Sequence, residues 1–249
     1  MITFIIQARS GSTRLPNKIL IPFYKGQTIL DLMIKKLLTI NETKIIIATT
    51  TNPKDNAIAE VAAKHNITCF RGSENDVLDR FISAAEAFGT QQIIRVCSDN
   101  PFLDINSIKV LIESINTNPN ADYISFDING TPSIKTHYGF WTEYVTLTAL
   151  KKVRSLTYEQ LYHEHVTNYI YSHPNEFNLI WIKNSNKEIT QLPIRLTIDT
   201  LKDFKNAQKI YTYLAESKSD QNISNITKYL CEHPSIITEM ENEIKNNSK

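Results

Sequence analysis

The chain has 249 residues, with 27 Lys+Arg against 26 Asp+Glu for a formal charge of +1, and 41% of its residues are hydrophobic. That balance excludes a general basic field for sequence-independent nucleic-acid binding and leaves room only for a local pocket that takes a small anion. Cys69, Cys97 and Cys231 are odd in number and widely separated, which excludes a disulfide frame and a paired zinc site and fits a reducing, cytoplasmic setting.

From Met1 the chain runs directly into an apolar segment, without a basic leader or a long apolar stretch, so neither a targeting segment nor a membrane span is expected. Thr3 to Ala8, Lys44 to Thr49, Ile67 to Phe70 and Gln92 to Cys97 are short β-branched or apolar runs that do not alternate with polar residues. Such runs suit strands buried on both faces. Between them come helical patterns: Ile29 to Leu38, then Ile58, Val61, Ala62 and His65, then Val77, Leu78, Phe81, Ala84, Ala85 and Phe88. Their spacing of three and four marks one apolar face on each helix. Strand and helix alternate, so the chain reads as α/β, a Rossmann-like mostly parallel sheet with helices on both faces and ligand loops at the carboxyl ends of its strands.

Beyond residue 100 the pattern predicts a helix over Ile105 to Ile115, a strand over Asp122 to Phe126 and a loop over Asp127 to His137. Helices follow near Glu143 to Val153 and Tyr158 to Ser172. Pro193 to Ile198 reads as a strand that enters a helix through Asp199, with Thr200 and Asp203 at capping-box spacing. The polar end, Glu241 to Lys249, reads as a frayed terminus.

Gln7 to Lys18, QARSGSTRLPNK, places Arg9, Arg14 and Lys18 beside Ser10, Gly11, Ser12 and Thr13 in the loop after the first strand. The cations would neutralise a triphosphate, while the hydroxyls and the backbone N–H groups from Ala8 through Gly11 donate to its oxygens. Neither GxxxxGK[ST] nor GxGxxG is present, and a solvated basic turn has the same composition. Asp99 ends the fourth strand and is followed by Asn100 and Pro101; Asp199 ends a later one. Two carboxylates at strand ends suit Mg²⁺ with phosphate oxygens, although each has an alternative as a helix cap. Cys97 reads as core, and so does His65.

The first loop resembles the RSxSTRLPxK signature of cytidylyltransferases that activate acidic sugars, the acylneuraminate and 3-deoxy-manno-octulosonate enzymes, with the spore-coat-polysaccharide branch as its nearest likeness. Four further blocks resemble that branch in the same order: Arg71 to Arg80 (RGSENDVLDR), Arg95 to Pro101 (RVCSDNP), His163 to Thr167 (HEHVT) and Arg195 to Thr200 (RLTIDT). The likeness spans about residues 2 to 215. It implies a nucleotide-diphospho-sugar transferase fold of the GT-A type with an acceptor and dimerisation insertion, a CTP substrate, a small sugar-like acceptor, Mg²⁺ and a homodimer. On it, one domain covers 1–240: a CTP-binding half at 1–120, an acceptor and dimerisation region at 121–192, and the second metal carboxylate with the last helices at 193–240.

The resemblance implies catalytic roles for Arg9, Arg14, Lys18 and Asp99 and metal binding at Asp99 and Asp199. It also implies nucleotide contacts from Arg71, which touches cytosine in the acylneuraminate relatives, and from Arg80. For Arg80 an i,i+4 pair with Asp76 is the other reading. Asn100, Glu143, His163 and His165 are candidates for the acceptor pocket. His163 and His165 do not share a helix face, so HExH is not the zinc-protease motif. Tyr138, Phe140, Trp141, Tyr169, Tyr171, Phe177 and Trp181 concentrate aromatics in the same region, as a core or an interface does. Two rival readings are a nucleotide-sugar-dependent glycosyltransferase and a nucleotide-binding relative without turnover.

Overall fold

The computed structural model describes residues 1–184 and 187–247. Strand β1, Ile2–Gln7, is buried from Ile2 to Ile6 and lies inside the sheet. A small hairpin, β2 (Pro22–Tyr24) and β3 (Gln27–Thr28), leads into helix α1, Ile29–Leu37. A capping box starts that helix: Thr28 accepts from the Asp31 N–H and the Asp31 carboxylate accepts from the Thr28 N–H, satisfying two donors that a helix end leaves unpaired. Strand β4 (Lys44–Thr50), helix α2 (Asn56–Lys64), strand β5 (Thr68–Gly72), helix α3 (Val77–Ala87) and strand β6 (Gln92–Cys97) complete the alternation. His65 at the end of α2 reaches Asp31 at 2.7 Å and ties α2 to α1.

The second half adds α4 (Ile105–Thr117), β7 (Tyr123–Ile128), β8 (Thr131–Pro132), β9 (Glu143–Thr146), α5 (Leu147–Leu156), α6 (Gln160–Glu164) and α7 (Asn168–Ser172). Then come β10 (Leu179–Lys183), α8 (Leu201–Glu216), α9 (Ile223–Glu232) and α10 (Pro234–Asn246). The sheet runs β10-β7-β9-β6-β1-β4-β5, with β8 paired to β7. β9 is antiparallel to both neighbours, while β1, β4, β5 and β6 pair in parallel. One face packs on α1, α2, α4 and the C-terminal helices, the other on α3, α5 and α7. The mostly parallel α/β sheet is therefore as the alternation predicts, and β1 lies between β4 and β6 where strand order reverses, the place where such sheets bind ligands.

The structure departs from the sequence pattern in five places, one being the loop expected over Asp127 to His137, in which β7 runs on to Ile128 and Thr131–Pro132 forms β8. Glu143–Thr146 forms strand β9, so the helix expected from Glu143 begins at Leu147; the apolar spacing there belongs to a strand and a helix joined without a loop. The helix expected over Tyr158 to Ser172 is two short ones, broken at His165–Thr167. Pro193 to Ile198 is extended but joins no ladder, holding instead to loops through Leu196 N–H to His137 O (2.8 Å) and Ile198 N–H to Asp99 O (3.0 Å). The end read as frayed from Glu241 is helical through Asn246, because Ile236 and Met240 bury one face of α10; residues 248 and 249 lie outside the described residues. Among the described residues no helix is long and apolar enough to cross a membrane.

Candidate active site

The loop after β1 folds over the carboxyl end of the sheet, with Asn17 N–H returning to Ser10 O at 3.0 Å. Asn17 takes a positive φ of 59°, a conformation Asn tolerates, and the turn it makes presents Lys18. The Lys18 ammonium lies 3.0 Å from Asp99 Oδ2 and 3.2 Å from Asp199 Oδ1 and also donates to Ile198 O. Burial alone would lower the Lys18 pKa, but the charges of Asp99 and Asp199 and the hydrogen bonds to them prevail and raise it above the usual lysine value.

Asp199 is surrounded by cations. Its Oδ2 accepts from Arg195 Nη2 at 2.6 Å and lies 3.3 Å from Arg14 Nη2. Arg195, fully buried, also donates from Nε to both carboxylate oxygens of Asp203. Asp99 follows β6, whereas Asp199 follows an extended segment that is not a strand, and neither acts as a helix cap: Thr200 with Asp203 caps α8, and Asp104 caps α4.

Two clefts open here. One of about 320 Å³ is lined by Arg9, Gly11, Ser12, Thr13, Arg14, Lys18, Asp99 and Asp199. The second, about 490 Å³, is lined by Asn100, Lys135, Gly139, Trp141, Thr167 and Tyr171 among others. Arg14, Arg95, Cys97, Asp99 and His165 border both. Arg9 reaches across the first cleft to Glu164 at 3.7 Å, a contact between half-exposed groups.

Other expected residues face elsewhere. Ser10 gives both its N–H and its hydroxyl to Asp55 Oδ1, at 2.7 and 2.5 Å, so its hydroxyl anchors the loop rather than facing the cleft. Asp55 also accepts from Thr50; burial would raise its pKa, but these hydrogen bonds outweigh it and hold the carboxyl below its usual range. Ala8 is buried beneath the loop. Arg71 commits Nε to Thr50 O, Nη1 to Asn56 Oδ1 and Nη2 to Asn52 O, because β5 pairs with β4 and brings Arg71 beside the end of β4 and the loop that follows it.

Arg80 is fully buried, donates Nη1 to Ser73 O and leaves Nε and Nη2 without partners. Burial, then the nearby Arg9 charge, push its pKa down to about 10. The alternative Asp76 partner is engaged elsewhere, with Asp79 N–H and His163.

The acceptor-side candidates divide. Asn100 and His165 line the larger cleft. His163 turns from it, with Nδ1 2.6 Å from Asp76 Oδ2 and Nε2 3.0 Å from Thr157 O. Glu143 is buried below the cleft floor, with Oε1 taking Arg95 Nη1 and Thr167 and Oε2 taking the Tyr123 hydroxyl. Register explains this: Glu143 lies directly opposite Arg95 on the β6–β9 ladder, and the two close a charge pair inside the sheet. Sequence reasoning passed over Arg95 as a cleft residue; its signal was a charge in the otherwise apolar run Ile93 to Cys97, and such residues are rarely buried unless paired.

The cytidylyltransferase family profile matches residues 3–229. This chain belongs to the cytidylyltransferase family. As a member it is a nucleotidyltransferase, and CTP is the nucleotide of its family's chemistry. It is 32% identical over 246 residues to the spore coat polysaccharide biosynthesis protein SpsF of Bacillus subtilis, covering 96% of this chain and 98% of that protein. It is 40% identical over 202 residues to the uncharacterized protein MJ1063 of Methanocaldococcus jannaschii, covering 81% of this chain and 79% of the other. Among solved structures, a cytidylyltransferase from Leptospira borgpetersenii superposes with a TM-score of 0.81 at 26% identity, covering 95% of this chain and 96% of that one.

Proposed function

We propose that this cytidylyltransferase transfers CMP from CTP to a sugar or sugar-like acceptor, with release of pyrophosphate and with Mg²⁺ as its cation. The observation that carries the reading is two clefts meeting over one floor, with Asp99 bordering both. The smaller, ringed by Arg9, Arg14 and Lys18, takes the triphosphate; the larger takes the acceptor. An acceptor oxygen forms a bond to the α-phosphorus as the bond from that phosphorus to the pyrophosphate oxygen breaks. Little covalent work falls to the protein, whose task is alignment and stabilisation of charge.

The cations of the first cleft serve the leaving pyrophosphate, which gains charge as it departs. Asn100 Oδ1 and Thr197 Oγ1, on residues that line the larger cleft, are buried without partners; polar atoms so placed favour a ligand that supplies hydroxyls. The donor set suits a hard cation, because one ammonium already reaches an oxygen of Asp99 and one of Asp199. Those two residues would hold Mg²⁺, which when bound neutralises phosphate oxygens. The name of the Bacillus subtilis relative supports an acceptor from surface polysaccharide synthesis.

The test is pyrophosphate release from CTP, UTP, ATP and GTP with Mg²⁺ against a panel of acidic, amino and neutral sugars, with product mass read in parallel. CTP-specific, acceptor-dependent release with a CMP-linked product is expected. Failure to bind CTP would sink the reading.

A further inference from the structure

Between Asp99 and Asp199 the fold has already put a cation. Lys18 Nζ, on a side chain only 12% exposed, contacts one oxygen of each carboxylate at 3.0 and 3.2 Å. The second oxygen of Asp199 meets Arg195 at 2.6 Å and Arg14 at 3.3 Å. Among the described residues, no group of three or more His, Cys, Asp or Glu is arranged to hold a metal ion, so a divalent ion at this place depends on the two aspartates that Lys18 bridges. Mg²⁺ binds oxygens at about 2.0–2.1 Å, closer than an ammonium does, and an ion held by these two carboxylates would compete with the Lys18 ammonium for the same oxygens.

We propose that Lys18 is the resident cation of the Asp99–Asp199 pair: it shuts a bare divalent ion out of the nucleotide-free protein, and the ion enters with a nucleotide whose phosphates draw Lys18 away. Two cations within a few ångströms in a partly buried site repel strongly, and Asp199 already faces two guanidinium groups. A triphosphate changes that balance, because it brings negative charge for both the metal and the ammonium. Lysine can follow it, since its charge is a compact point on a flexible four-carbon stem. The proposal rests on the reading of this cleft as a nucleotide site, and it gives Lys18 two successive partners, the carboxylates and then phosphate oxygens.

The experiment is electron paramagnetic resonance of Mn²⁺ titrated into the nucleotide-free full chain, with Lys18→Met beside the wild type. Removal of the ammonium is expected to tighten Mn²⁺ binding at least tenfold at one site, and adding Asp99→Asn to Lys18→Met is expected to abolish the gain. Equal Mn²⁺ affinity in wild type and Lys18→Met, or a gain that survives Asp99→Asn, overturns the proposal. If circular dichroism shows Lys18→Met unfolded, Lys18→Gln replaces it. A second arm adds CTP to the wild type: enhanced water-proton relaxation by Mn²⁺ is expected only with protein and CTP together, and full enhancement without CTP counts against the proposal. CTP binding without metal, followed by calorimetry, keeps failure of the nucleotide reading distinct from failure of the Lys18 role.

Discussion

Arg95 and Glu143 face each other across β6 and β9 with Nη1 and Oε1 2.7 Å apart, and solvent reaches almost none of either side chain. The pair is braced on both sides: Gln7 Oε1 accepts from Arg95 Nε and Nη2, and Tyr123 and Thr167 donate to Glu143. Removing one partner strands a buried charge, so Glu143→Ala is expected to destabilise the fold by about 3–5 kcal/mol. Replacing both with apolar residues of similar volume is expected to recover most of that loss, because no charge is then left unpaired. Urea unfolding of both variants checks the contrast.

Asp99→Asn and Lys18→Ala are each expected to lower kcat by about 10²–10³-fold, by comparison with the loss of a single group that stabilises developing charge. Both variants should keep the wild-type circular dichroism spectrum. Near-normal turnover in either removes that residue from the mechanism.

His163 joins α6 to the start of α3 through Asp76, and its second ring nitrogen faces Thr157 O. Burial opposes the imidazolium, but the hydrogen bonds to Asp76 and Thr157 and the charges of Asp76 and Asp79 raise its pKa above the usual histidine value. A raised histidine pKa contributes stability that is fully present below the unfolded pKa, about 6.5, and fades as pH climbs through the folded value. The melting temperatures of wild type and His163→Gln are therefore expected to differ most near pH 6 and to converge in mildly alkaline buffer. A gap that widens with pH contradicts the assignment.

Gly139 takes a φ of +69°, and a Cβ there would lie 3.3 Å from Asn100 Oδ1 and 3.3 Å from the Leu196 backbone. The left-handed conformation alone costs an L-residue about 1–2 kcal/mol. Gly139→Ala is expected to lose at least that in denaturant titration and, because Gly139 lines the larger cleft, to leave CTP affinity unchanged. A variant as stable as wild type would show that the loop can change its backbone.

The first half of the sheet was legible because its strands are apolar on both faces and its helices carry one clean stripe. The join at Thr146–Leu147 was not, since no turn residue separates β9 from α5; nor was the Pro193–Ile198 segment, whose β-like residues bond to loops rather than to a strand. At the site, cations in a loop after one strand and aspartates after two β-like runs were readable in Lys18, Asp99 and Asp199, which the fold brings together although only Asp99 follows a strand. Arg71, Ser10 and Glu143 carry the same kinds of side chain, yet strand register and loop closure turn them to Thr50, Asp55 and Arg95. Spacing along one chain cannot say which way such groups face.

Asn247 offers its carbonyl to Arg195 and its side-chain oxygen to Arg14, and Glu243 accepts from Thr200. The cleft that opens after the first strand is thus propped by residues translated more than two hundred positions later. A nascent chain whose α10 is still inside the ribosome can have its whole sheet outside and yet lack these contacts to Arg14 and Arg195.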